Sequence, residues 1–109
     1  MPDTRMPDQR ARLLDEFEQE LGEGDIEGAA QCLRALQRML PASDAELVYA
    51  RARFAWVGQG QEAALPTLQQ VIELDPRHSD AHYDLGRIAE QQGDRAALVR
   101  HFLRVRALD

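Results

Sequence analysis

Residues 79–109 read SDAHYDLGRIAEQQGDRAALVRHFLRVRALD, and this stretch decides the fold. Phe102, Val105 and Leu108 recur at i, i+3 and i+6, which places them on one helical face. Gly93-Asp94 supplies turn chemistry in the middle, so the stretch splits into two helices joined by a tight turn. Ser79 stands where a helix cap is expected. Gly86 lies where the two helices would cross, and a missing side chain there permits close approach.

Working outward, a shift of 34 residues lays this stretch on the one before it. Tyr49 falls on Tyr83, Ala52 on Gly86, Arg53 on Arg87 and Ala55 on Ala89. Leu68 falls on Phe102, Val71 on Val105, Leu74 on Leu108 and Asp75 on Asp109. A helical period nested in a 34-residue period describes stacked helix pairs. The first third, about residues 10–43, joins with a one-residue slip through Leu13, Phe17 and Leu21. It keeps Gly24-Asp25, Ala29, Leu33, Leu36 and Pro41.

The helices expected from this pattern run roughly 9–22, 25–40, 44–57, 61–74, 79–92 and 94–108. Ser43 and Glu46 have the spacing of a capping box for the third helix. Pro41 and Pro76 end the second and fourth. Pro66 should delay the start of the fourth helix or kink it slightly.

These residues carry a resemblance to the tetratricopeptide repeat family. Tyr83, Leu85-Gly86, Gly93-Asp94, Phe102 and Leu108-Asp109 fit its pattern in register. The middle segment fits through Ala52, Ala64, Leu68, Val71 and Leu74-Asp75-Pro76, and departs from it at Arg51 and Gln59. The resemblance implies an all-α chain, a right-handed α-solenoid of three stacked antiparallel helix hairpins. The expected organisation is a flexible stretch 1–8 followed by one domain, 9–109, with repeats at about 10–43, 45–78 and 79–109. Met1-Pro2-Asp3 recurs as Met6-Pro7-Asp8, so Met6 is an alternative start. The last hairpin ends without an extra polar helix, as expected of a piece of a longer protein or of a face covered by another chain.

Composition narrows the function. The chain has 109 residues and a net charge of −6, with 13 basic residues, all Arg. An acidic surface disfavours nucleic acid as partner. No apolar run has the roughly 18 residues a membrane span needs. One cysteine, Cys32, forms no internal disulfide and fits a reducing cytoplasm. The all-Arg usage suggests a GC-rich bacterial source. Nothing resembles a phosphate loop, a nucleophile elbow or a zinc-protease motif, so neither catalysis nor a cofactor is expected.

The candidate site lies on the first helices of the hairpins. Tyr49 and Arg53 are spaced i, i+4, as are Tyr83 and Arg87, and Trp56 follows one turn on. Guanidinium groups flanked by aromatics suit an acidic peptide, since Arg grips carboxylate and aromatic rings supply area. The family resemblance implies peptide binding on the concave surface at such positions. The bland alternative is that the tyrosines pack between helices while the arginines make surface ion pairs. Ala52 and Gly86 are structural small residues. His78 and His82 lack a third ligand, so no metal is expected. His101 and Cys32 read as packing residues.

The leading reading is a protein–protein interaction module, a cytoplasmic adaptor or scaffold. One alternative is self-assembly, even as a homodimer, through the uncapped C-terminal repeat. There an acidic first hairpin would meet the Arg-rich last one. The other is an N-terminal regulatory fragment of a larger bacterial enzyme.

Overall fold

The protein's structure, a computed structural model, describes residues 5–108. The expected loose segment 1–8 lies partly outside the described residues, and from Arg5 onward the backbone is already helical. Six helices follow in order: α1 (Arg5–Gly22), α2 (Ile26–Met39), α3 (Ala45–Gln59), α4 (Gln61–Leu74), α5 (Ser79–Gln92) and α6 (Arg95–Leu108). There is no strand among the described residues. Each consecutive pair forms an antiparallel hairpin, and the hairpins stack into a solenoid about 51 × 30 × 21 Å across.

The turns explain why each pair folds back. Gly24 and Gly93 have φ of 80° and 75°, a left-handed conformation that a Cβ would strain. The aspartate after each glycine caps the next helix. Asp25 accepts from the Gly28 amide at 2.9 Å and Asp94 from the Ala97 amide at 3.0 Å. The middle hairpin turns on Gly60 alone, at φ 97°.

Between hairpins, two caps differ from expectation. Asp44, not Ser43, caps α3, accepting from the Leu47 amide at 3.1 Å. Its carboxylate also takes two bonds of 3.0 Å from Arg10 on α1, which a serine hydroxyl could not accept as an ion pair. Glu46 is thereby released from the capping box and reaches His78, just ahead of α5, instead. His78, not Ser79, caps α5: its Nδ1 accepts from the Ala81 amide at 3.1 Å, and Ser79 becomes the first helical residue. The one-residue slip of the first repeat also has a cause. The link from α2 to α3 spans residues 40–44, and that from α4 to α5 only 75–78. A shift of 35 therefore aligns the first two hairpins.

Pro66 does not delay α4, which starts at Gln61. Its missing N–H frees only the Glu62 carbonyl, close to the helix start, and its ring is exposed.

The core forms two clusters. Phe17, Ala29, Leu36 and Leu47 knit the first hairpin to α3, with Phe54 packed beside Phe17. Val48, Ala52, Leu68, Val71, Leu85 and Ile88 knit the second hairpin to α5. Leu36, Leu68 and Val71 are fully buried, each stabilising by about 1.5–3 kcal/mol. A Cβ built at Gly86 would lie 2.9 Å from the Phe102 ring. Helix α6 closes the stack and has no fully buried residue.

Candidate functional site

The first helices of the three hairpins, α1, α3 and α5, lie side by side. The 34- and 35-residue shifts place Glu18, Arg53 and Arg87 at equivalent positions on them. Arg53 reaches back to Glu18, with Nη2 to Oε2 at 3.5 Å, which shows that these positions are neighbours across the stack. Both side chains are substantially exposed, so this pair contributes at most about 1 kcal/mol.

Between α3 and α5 opens a cleft of about 200 Å³, lined by Arg53, Trp56, Val57, Asp84 and Arg87. Each arginine rests on an aromatic ring. The Arg53 guanidinium carbon lies 5.9 Å from the Tyr49 ring centroid, and that of Arg87 lies 5.8 Å from the Trp56 ring. Stacking of this kind is worth about 0.5–1 kcal/mol at exposed sites and limits the freedom of the guanidinium before any ligand arrives. Among the described residues Arg87 has no carboxylate within ion-pair distance.

The sequence placed five residues at this site. Arg53, Trp56 and Arg87 come together in the cleft. Tyr49 lies beneath it: the ring is buried, supports Arg53, and its hydroxyl donates to Asp84 Oδ2 at 2.7 Å. Burial, followed by the neighbouring Asp84, pushes the Tyr49 pKa well up, so the phenol stays a donor. Tyr83 is elsewhere, packed on Phe102 at 6.0 Å and 48% exposed. Val57 and Asp84 line the cleft and were missed. Val57 had a signal, since it follows Trp56; Asp84 had none, since it meets Tyr49 only through stacking.

Burial raises the Asp84 pKa, while the Tyr49 hydroxyl and both arginines oppose that rise. The cleft thus brings two guanidinium cations next to the Asp84 carboxylate, with Glu18 paired to Arg53 at its edge. Within the cleft Arg87 is the cation without a carboxylate at ion-pair distance among the described residues, and the apolar surface of Trp56 and Val57 lies beside it.

The other singled-out residues are accounted for within the fold. His78 is buried, its Nε2 2.9 Å from Glu46 Oε1 on α3 and its ring 4.7 Å from Tyr49. The Glu46 carboxylate raises the His78 pKa, and His78 holds that of Glu46 down. His82 donates through Nε2 to the Pro76 carbonyl at 2.9 Å and meets His101 Nδ1 at 3.3 Å. Burial pushes the Cys32 thiol up to about 11, so it remains protonated at neutral pH. No group of three metal-ligating side chains forms among the described residues. No described helix is long and apolar enough to cross a membrane.

Comparison with known proteins agrees with this architecture. A tetratricopeptide repeat family model matches residues 59–97, from the end of α3 into the start of α6. Cellulose synthase operon protein C of Escherichia coli strain K12 is 32% identical over 108 residues, covering 98% of this chain. The O157:H7 counterpart matches equally. The chain spans only 9% of the length of these relatives. No solved structure gives a significant match. With six helices paired in hairpins, a 34-residue period and a tetratricopeptide repeat model matching residues 59–97, the chain is an array of three tetratricopeptide-like repeats.

Proposed function

We propose that the protein is a non-catalytic interaction module that binds an acidic segment of a partner protein on its concave face. The observation that carries this reading is the cleft between α3 and α5, where Arg53 and Arg87 are held on aromatic rings above Trp56 and Val57. Arg and Trp are the side chains that most often anchor protein interfaces. The ligand chemistry that fits is a carboxylate gripped by the guanidinium groups, next to an apolar side chain lying on Trp56 and Val57.

The module acts as an adaptor or scaffold in a bacterial cytoplasm, where a lone protonated thiol is chemically quiet. The likeness to Cellulose synthase operon protein C supports seeking the partner first among proteins encoded in such an operon.

Selection of displayed random peptides tests the reading. The wild-type protein should enrich Asp- and Glu-rich peptides with an adjacent apolar residue, and the Arg53→Ala/Arg87→Ala variant should not. Enrichment of the same peptides by both proteins would refute it, provided circular dichroism shows both folded.

A further inference from the structure

The two junctions between hairpins carry different caps at one equivalent position. The 34-residue shift lays His78 on Asp44 and Ala81 on Leu47. Asp44 caps α3 on the Leu47 amide and pairs with Arg10 on α1, one hairpin back. His78 caps α5 on the Ala81 amide and pairs with Glu46 on α3, again one hairpin back. The contacts are analogous and the charges are exchanged. A carboxylate accepts an amide bond through either oxygen, whereas an imidazole accepts at Nδ1 only while that nitrogen is bare. The cap of the second junction therefore hangs on one proton, and Asp44 shows that the fold does not demand an imidazole there.

The partners assign the proton. The Ala81 amide can only donate, so Nδ1, 3.1 Å away, is bare in the capped state. Nε2 then carries the ring hydrogen and donates it to Glu46 Oε1 at 2.9 Å. A second proton has one place to go, Nδ1, where it faces the Ala81 N–H. The residue is 7% exposed and its ring lies 4.7 Å from the Tyr49 ring. Water therefore has little access to come between the two opposed donors.

We propose that His78 is a proton-operated switch at the α3/α5 junction. Uptake of a proton at Nδ1 breaks the cap on the Ala81 amide and opens the first turn of α5. The same proton turns the Glu46 contact into an ion pair, so the link to α3 tightens as the helix start lets go. The surroundings favour the proton. The Glu46 hydrogen bond raises the His78 pKa against its burial, and Asp80 on α5 and Asp75 in the preceding link add to the rise. Glu46 in turn feels Arg10 on α1 and Asp44 ahead of α3, which act on it in opposite senses. Tyr49 faces the ring as a neutral phenol. The device makes the seating of the third hairpin responsive to pH and does not depend on what the cleft binds.

The test is NMR of the isotopically labelled full chain from about pH 8.5 to about pH 5.5, the range in which histidine titrates. Long-range ring correlations report the protonation of each His78 nitrogen, and the Ala81 amide reports the cap. At high pH the ring should be bare at Nδ1 and protonated at Nε2. As Nδ1 gains its proton, the Ala81 amide proton should move upfield with the same midpoint. Its exchange with solvent, corrected for pH, should quicken at least tenfold, while the Leu47 amide holds. His78→Asn keeps an oxygen for the cap and loses the titrating group, so its Ala81 amide should stay in place across the range. Glu46→Gln should move the midpoint to lower pH. The proposal is overturned by a ring protonated at Nδ1 at high pH, or by one that stays neutral throughout. It is equally overturned by an Ala81 amide unmoved while His78 titrates, by the same transition in His78→Asn, or by a midpoint indifferent to Glu46→Gln.

Discussion

Tyr49 and Tyr83 occupy the same position in successive repeats, and Tyr→Phe at each removes one oxygen. The structure predicts unequal consequences. The Tyr49 hydroxyl donates to Asp84 at 2.7 Å across the boundary between the second and third hairpins. A hydrogen bond to a charged group is worth about 1.5–3 kcal/mol, and Asp84 is only half buried, so the lower end applies. The loss of about 1.5 kcal/mol corresponds to a fall of roughly 6–12 °C in Tm for a chain of this size. Tyr83 is half exposed and its hydroxyl has no partner among the described residues, so Tyr83→Phe should stay within about 0.5 kcal/mol. Urea unfolding followed by circular dichroism measures both. Adding Asp84→Asn tests the assignment, since Tyr49→Phe and Asp84→Asn should couple by about 1 kcal/mol while Tyr83→Phe and Asp84→Asn add. Equal losses at the two tyrosines, or additivity at Tyr49, would refute the reasoning.

Other outcomes follow from the packing and the caps. Gly86→Ala should destabilise by about 1 kcal/mol, because the new Cβ meets the Phe102 ring, a clash of about 1–3 kcal/mol partly offset by better helix propensity. Phe102→Leu should relieve that loss in chemical denaturation. Asp44→Ala should cost about 1–2 kcal/mol in the same assay, since it removes the α3 cap and the Arg10 pairing together. Glu46 raises the His78 pKa, but the cap of α5 needs Nδ1 without a proton, so protonation of His78 exchanges the cap for a charged pair with Glu46. Glu46→Gln should lower the His78 pKa seen by NMR; a His78 pKa unmoved or raised by the substitution would contradict the pairing.

The third hairpin was the most legible part of the chain because Gly86, Gly93-Asp94 and Phe102 each do in the structure what their chemistry demands. The first hairpin was readable only with a slip, since an extra residue in a link leaves no mark on helical periodicity. The cap at His78 was hidden for a different reason. Serine is the commoner cap, and only the position of Glu46 on α3 shows why the imidazole takes the role. In the cleft, Arg53, Trp56 and Arg87 could be grouped from spacing alone. Tyr83 shows where that method stops: equivalence in sequence equals equivalence in environment only where a following repeat lies on top. Asp84 escaped notice because its partner Tyr49 is 35 residues away, a relation set by stacking and not by any local motif.

For binding of an acidic segment in the α3/α5 cleft, the protein contains its own reporter. Trp56 is the only tryptophan and lines the cleft beneath Arg87. The most direct measurement is the titration of Trp56 fluorescence with an acidic peptide recovered by selection on the wild-type protein, repeated on Arg53→Ala/Arg87→Ala. Binding in the cleft predicts a saturable change in emission that weakens with added salt and is lost in the double variant. A peptide that binds with Trp56 emission unmoved, or with equal affinity for the double variant, would show that the cleft is not where the partner sits.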